Sequence, residues 1–227
     1  MKSPHPLDRP IWSALTGRQT GYALGDGRAL RFDPDYGAFA AAADDSAESL
    51  AALGALIPAE GSIILMEAGV TPVPANAAIA QQAPCVQMIT ESLTPGETNF
   101  EIVPLAEADA PEMLALATLT KPGPFFTRTH RLGNFVGVKE GGRLVAMAGE
   151  RMKPPGFTEV SGVCTHPDYR RHGYAAGLMR VVAAAILARG ETPFLHSYAS
   201  NTGAIALYET LGFTFRSAMT MMALVRK

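Results

Sequence analysis

Runs of apolar residues, each closed by Gly, Pro or a polar cluster, divide the chain into short elements. They are most regular from residue 99 onward. "NFEIVPL" reads as a strand, and "DAPEMLALATLT" as a helix with Asp109 as N-cap and Pro111 near its first turn. "NFVGVKEGGRLVAMAGERM" reads as a hairpin turning at Gly141-Gly142. "FTEVSGVCT" is the next strand, and a loop through Pro167 leads to an apolar helix from near His172 to about Arg189, stopped by Gly190. "TPFLHSY" is a strand, "TGAIALYETLG" a helix ending at Gly212, and "AMTMMALVR" a last strand. The strand–loop–helix–strand order implies at least one parallel pair, in a mixed α/β sheet flanked by helices.

The first part of the chain is patterned differently. Residues 37–57, "GAFAAAADDSAESLAALGALI", contain an Ala-rich helix with Asp44, Asp45 or Ser46 as possible caps. "RALRFD" and "SIILMEAG" are strand candidates. "VTPVPANAAIAQQAP" is rich in Pro and Ala, and "CVQMIT" after it reads as a strand. "ESLTPGET" (91–98) reads as a turn-rich linker. The organisation expected is an α/β region over 1–95, of unassigned role, and a second domain over 96–227. No recognisable cluster of ionisable groups stands out before the linker.

Composition narrows the class. With 227 residues, 48% of them hydrophobic and 18% charged, the chain has ample core for one large domain or two modest ones. A formal net charge of −2 argues against a dedicated nucleic-acid binder, so any anion site must be local. The two cysteines, Cys85 and Cys164, lack CxxC spacing and suggest neither a disulfide framework nor a metal site. The N-terminal "MKSPHPLDRP" lacks the apolar core of a signal peptide, and no apolar run approaches a membrane span. A cytoplasmic protein that binds neither membrane nor metal is expected.

One stretch runs against helix electrostatics. "YRRHGYAAGLMR" (169–180) places Arg170, Arg171 and His172 where a helix begins, although that end is already partly positive. Gly173 leaves the backbone open to close approach, and the N–H groups of the first turn are free, so loop and helix form an anion cradle suited to a pyrophosphate. The arginines add charge-assisted donors. A solvated basic cap is the alternative. The stretch has neither the GxxxxGK[ST] nor the GxGxxG phosphate-loop pattern.

Arg170, Gly173 and Ala175 fit the [QR]-x-x-G-x-[GA] motif of GCN5-related N-acetyltransferases, after a strand and "T-H-P". "NTGAIALYETLGF" (201–213) resembles that superfamily's second signature, N-x-x-A-x-x-L-Y followed by L-G-F. Through "RLVAMAGERM", "VCTHPDYRRHGYAAGLM" and "LYETLGF" the chain resembles the FR47-like branch, over roughly residues 99–227. By analogy the first 95 residues would be a degenerate unit of similar fold. The resemblance implies that acetyl-CoA is the co-substrate. Its pantetheine would pair with Val163, Cys164 and Thr165, and its pyrophosphate would sit on Arg171, His172, Gly173, Tyr174, Ala175 and Ala176. Asn201, a natural helix cap, would also touch the pantetheine.

The family's usual acceptor is a primary amine, which must lose a proton before it attacks. Glu159 is one base candidate: it lies six residues before Thr165 on the same strand, which predicts that both face the same side. Some family members carry a glutamate at the matching position; a solvent-facing charge is the alternative. His196 is a second candidate, or a hydrogen-bonded core histidine. His166 and His172 flank the phosphate loop. Tyr208 matches the family tyrosine that serves as general acid near the CoA sulfur, against the alternative of an aromatic in the core. Cys164 is expected in the core rather than as a covalent nucleophile. The resemblance thus implies direct acetyl transfer to an unidentified amine. Two other readings stand beside it: a glycine- or amino-acid N-acyltransferase, and a non-catalytic acyl-CoA sensor. Only the sensor would bind acetyl-CoA without releasing CoA thiol.

Overall fold

The computed structural model describes residues 5–69 and 71–227; residues 1–4 of the N-terminal stretch, and Val70 at the head of the Pro- and Ala-rich stretch, lie outside the described residues. Among the described residues, no helix is long and apolar enough to cross a membrane.

A short helix α1 (Pro10–Leu15) precedes a small antiparallel sheet of β1 (Ala23–Gly25), β2 (Ala29–Phe32) and β3 (Ala40–Ala42). Here the Ala-rich stretch divides. Ala40 to Ala42 form a buried strand, and helix α2 (Ala47–Ala55) starts only after Ser46, whose hydroxyl accepts from the Ser49 N–H at 3.2 Å. Alanine's helix preference amounts to only tenths of a kcal/mol per residue over most alternatives, and ladder bonds to β2 outweigh it where small side chains must be buried.

The remaining strands are β4 (Ile63–Glu67), β5 (Ala77–Ile89), β6 (Val103–Leu105), β7 (Phe135–Glu140), β8 (Arg143–Glu150), β9 (Phe157–Thr165), β10 (Thr192–Tyr198) and β11 (Thr214–Arg226). They form one eight-stranded sheet in the order β4-β11-β5-β10-β9-β8-β7-β6. It is mixed and mostly antiparallel; β9 and β10 are the parallel pair. Strands from both sides of residue 95 therefore share one hydrogen-bonded sheet. β5 begins at Ala77, inside the Pro- and Ala-rich stretch, because β11 pairs with it from Ala77 to Ile89.

Helix α4 (Tyr174–Ala188) lies on one face and buries Tyr174, Leu178, Val182 and Ile186, four residues apart along one side. Burying one such side chain as large as Leu178 contributes about 1.5–3 kcal/mol. Helix α3 (Ala110–Thr120) packs on the other face around Met113, Leu116 and Ala117. Its predicted cap is different in kind: Asp109 accepts from the Ala106 N–H and pairs with Lys139 instead of bonding the helix end. Helix α5 (Thr202–Thr210) is capped by Asn201, whose Oδ1 accepts from the Ala204 N–H at 3.3 Å.

Two irregularities shape the middle of the sheet. The parallel ladder between β9 and β10 ends at the pair Phe194–Glu159. Strand β9 then bulges at Gly162, which has a φ of 64°, and its register against β8 shifts between Met147 and Gly149. Val160 and Val163, three residues apart, both pack towards α4, whereas Cys164 packs towards α3. The bulge breaks the expected alternation, so Glu159 and Thr165 do not share a face as their six-residue spacing predicts.

Candidate active site

The loop between β9 and α4 is wound tightly. Arg171 and Gly173 both have left-handed backbones, with φ of 68° and 79°. Gly173 serves as the N-cap of α4 and offers no side-chain bond to it. Among the described residues, the N–H groups of Tyr174, Ala175 and Ala176 find no acceptor; the first bond of the helix runs from the Gly177 N–H to the Gly173 carbonyl. Among the described residues, and beyond its own chain neighbours, nothing lies within 4 Å of where a Cβ on Gly173 would stand. The Tyr174 hydroxyl donates to Glu140 Oε1 at 2.8 Å and ties the helix start to the β7–β8 hairpin. Arg170 and Arg171 are exposed and form no ion pair among the described residues. Free donors, two guanidinium groups and open space fit an anion.

From this loop a cleft of about 890 Å³ runs between the diverging ends of β9 and β10. Val163, Cys164, Thr165, Arg170, Arg171, Gly173, Tyr174, Ala175, Ala176 and Asn201 all line it, and Tyr208 stands within it. Backbone groups on diverging strands lack their ladder partners, so an amide-bearing chain lying between them finds donors and acceptors. The Lys121–Gly123 turn, which the sequence did not mark, closes one side. His172 stands outside this lining and is exposed; its ring stacks on Tyr174 at 5.6 Å. His166, also outside it, contacts Arg143 at 2.9 Å. Cys164 is buried, which pushes its thiol up to about 11, so it stays protonated at neutral pH.

Tyr208 projects from α5, and no protein partner for its hydroxyl occurs among the described residues. Burial raises its pKa above the usual value, so the hydroxyl keeps a proton to donate.

Glu159 lies in a smaller space of about 60 Å³ that shares Tyr208 with the main cleft. Its side chain is 1% exposed. Oε2 accepts from Arg151 Nε at 2.8 Å and Oε1 from Arg151 Nη2 at 2.9 Å. Burial alone would raise the Glu159 pKa, but the Arg151 charge and the bonds from His196 and Arg151 hold it at about 2. His196 Nδ1 is 2.8 Å from Glu159 Oε1, and its Nε2 is 2.9 Å from Gln87 Nε2. The orientation of Gln87 is set in turn, because its Oε1 accepts from Arg216 and its Nε2 donates to the Leu7 carbonyl. The network therefore assigns the imidazole proton to Nδ1 and leaves Nε2 as an acceptor. Both ring nitrogens of His196 are occupied.

A second cavity, of about 260 Å³, opens on the far side of Tyr208 and shares Pro122, Gly123, Tyr198, Asn201 and Tyr208 with the cleft. The first part of the chain contributes Phe39, Ser62, Ile64, Met66, Gln81 and Cys85 to its wall, and the rest comes from later residues, among them Arg151, His196, Ser197, Met221 and Ala223. Sequence reading did not find the apolar residues of this wall, because apolar side chains on separate strands leave no spacing signal. The Arg151 guanidinium lies 4.5 Å over the Phe39 ring. A mixed sheet with one splayed parallel pair, a donor-rich helix start and a tyrosine between two cavities together have the architecture of an acyltransferase.

Comparison with known proteins agrees. Residues 135–222 match the family model described as FR47-like protein. The chain is 48% identical to an acetyltransferase assigned to the GNAT family from Novosphingobium aromaticivorans, whose crystal structure superposes with a TM-score of 0.92 over 99% of this chain and 100% of that one. It shares its fold with a GCN5-related N-acetyltransferase from Kribbella flavida, at TM-score 0.60 and 20% identity over 88% of each chain. A GCN5-related N-acetyltransferase-like protein from Streptococcus suis gives TM-score 0.60 at 17% identity, over 100% of this chain and 94% of the other. No curated protein matches. The chain belongs to the GNAT family of acetyltransferases.

Proposed function

We propose that this GNAT-family chain moves an acetyl group from acetyl-CoA directly to a primary amine. The observation that carries this is the continuous path from the open helix start at Gly173, along the gap between β9 and β10, to Tyr208. In the reading, the N–H groups from Arg171 to Ala176, together with the side chains of Arg170 and Arg171, hold the pyrophosphate. Val163, Cys164, Thr165 and Asn201 border the pantetheine, and His172 lies beside the phosphates.

The amine nitrogen attacks the thioester carbonyl, the carbon–sulfur bond breaks, Tyr208 gives its proton to the departing thiolate, and the proton that the nitrogen sheds as the amide forms restores the Tyr208 hydroxyl. The attacking amine must first lose a proton. Glu159, at about 2 and with both oxygens engaged, is too weak a base to take that proton itself. Its role in this proposal is positional: it fixes Arg151 and the His196 ring beside Tyr208, and the acceptor enters as its free base.

Calorimetry with acetyl-CoA, followed by release of CoA thiol with a panel of amines, tests the proposal. Binding and amine-dependent release are expected. If no CoA ester binds at millimolar concentration, the proposal fails; binding without release with any amine would favour the sensor.

A further inference from the structure

The cavity beyond Tyr208 carries its own chemistry, and giving it to the acceptor rests on the transferase reading. Among the described residues that line it there is no Asp or Glu. Phe39, Met66 and Met221, all buried, and half-buried Ile64 give it an apolar side, and Ser62, Gln81, His196 and Ser197 add polar groups to the lining. Cys85, also in the wall, is held protonated by burial, with its pKa pushed up to about 11, and contributes no charge. Among the described residues at the wall the one permanent cation, Arg151, is already neutralised by Glu159 through two hydrogen bonds. The nearby Glu67 is turned away and paired with Arg9 at 3.0 Å. At about 260 Å³ the cavity falls below the roughly 300–1,000 Å³ of drug-sized ligand sites.

A second ammonium group on the acceptor would enter this space without a counter-charge, and an unpaired charge away from water is strongly disfavoured. An uncharged apolar body would instead replace water on Phe39, Ile64 and Met66. We propose that the acceptor is a small monoamine with an uncharged apolar body, of the arylalkyl or branched alkyl class. Its amino group meets the thioester at Tyr208 while its body lies on the wall built by β4, β5 and Phe39. The first part of the chain then selects the acceptor, and the second part holds the donor.

The test compares phenethylamine and isoamylamine with 1,4-diaminobutane and spermidine, using the full chain, acetyl-CoA and release of CoA thiol. Acetyl-CoA binding is measured separately by calorimetry. The monoamines are expected to give kcat/KM at least tenfold above the polyamines, and to raise the Tm of the CoA-bound protein where the polyamines do not. Gln81→Glu, at an exposed position on the cavity rim, should move the ratio at least fivefold towards the diamine without disturbing the core. Ile64→Asp should do the same from inside. A wild-type protein that prefers the polyamines, or a ratio unmoved by both substitutions, overturns the assignment. So does acetyl-CoA binding with no monoamine acetylated. Failure of acetyl-CoA to bind removes the transferase reading itself, and is distinguished by the calorimetry.

Discussion

Glu159 on β9 and His196 on β10 meet at 2.8 Å, just past the Phe194–Glu159 pair where the parallel ladder ends. A carboxylate, an imidazole and the Arg151 guanidinium thus fill the point where the two strands separate. The cluster sits where the ladder ends, and none of its three side chains lines the larger cleft.

Glu159→Gln should therefore act first on stability. Removing one partner of a buried pair leaves Arg151 uncompensated, at a cost of about 3 kcal/mol. The Glu159 pKa falls from 4.5 in the unfolded chain to about 2 in the fold, so its contribution is complete above 4.5 and disappears as pH falls towards 2. The difference between wild type and variant in urea unfolding should narrow across that window. A variant of unchanged stability that loses turnover a hundredfold would make Glu159 a group acting on substrate.

Gly173→Val places a β-branched residue at a φ of 79°, where strain costs about 1–2 kcal/mol, and fills space that is open in the fold. Acetyl-CoA affinity should fall at least tenfold by calorimetry. Gly173→Asn separates the two effects, since Asn tolerates the left-handed region: its Tm should stay nearer to wild type while affinity still drops. Wild-type affinity in both variants would move the phosphate site elsewhere.

Tyr208→Phe keeps the ring and its edge-on packing against Phe213 at 6.5 Å. The variant should retain Tm and most acetyl-CoA affinity but lose about 10²- to 10⁴-fold in kcat. The loss should shrink with acyl donors whose thiols are more acidic. Unchanged kcat per folded molecule would return Tyr208 to a packing role.

The rate should follow the acceptor's own ionisation. With Glu159 far too acidic to remove the proton, kcat/KM for an amine of pKa near 10 should climb about tenfold per pH unit from 6 to 9. Stopped assays across that range decide it. A plateau near pH 7 would show that a base on the protein takes the proton.

Much of the chain around the larger cleft was legible in the sequence because its signals are local. Gly141 and Gly142, with φ of 58° and 82°, make the hairpin turn that their dipeptide announces. Gly190 ends α4 in the left-handed region, and Asn201 and Ser46 cap their helices. Arg170, Arg171 and Gly173 lie on one cleft with Tyr208. Each of these features is decided within a few residues, by backbone conformation or by an orphan N–H group that a neighbour must satisfy.

What lay beyond the sequence is non-local. A one-residue bulge at Gly162 reversed the facing of Glu159 relative to Thr165, and only pairing with β8 reveals it. Whether Glu159 is a free base or half of a buried ion pair depends on Arg151 reaching it across a strand pair. Ala40 to Ala42 became a strand because β2 offered ladder bonds. The cavity beyond Tyr208 joins Phe39, Ile64 and Gln81 to residues far later in the chain. The sequence by itself determined the turns, the caps and the tightly wound loop before α4. The tertiary structure alone decided the charge state of the carboxylate and the apolar wall, since both arise from side chains that only the folded sheet brings together.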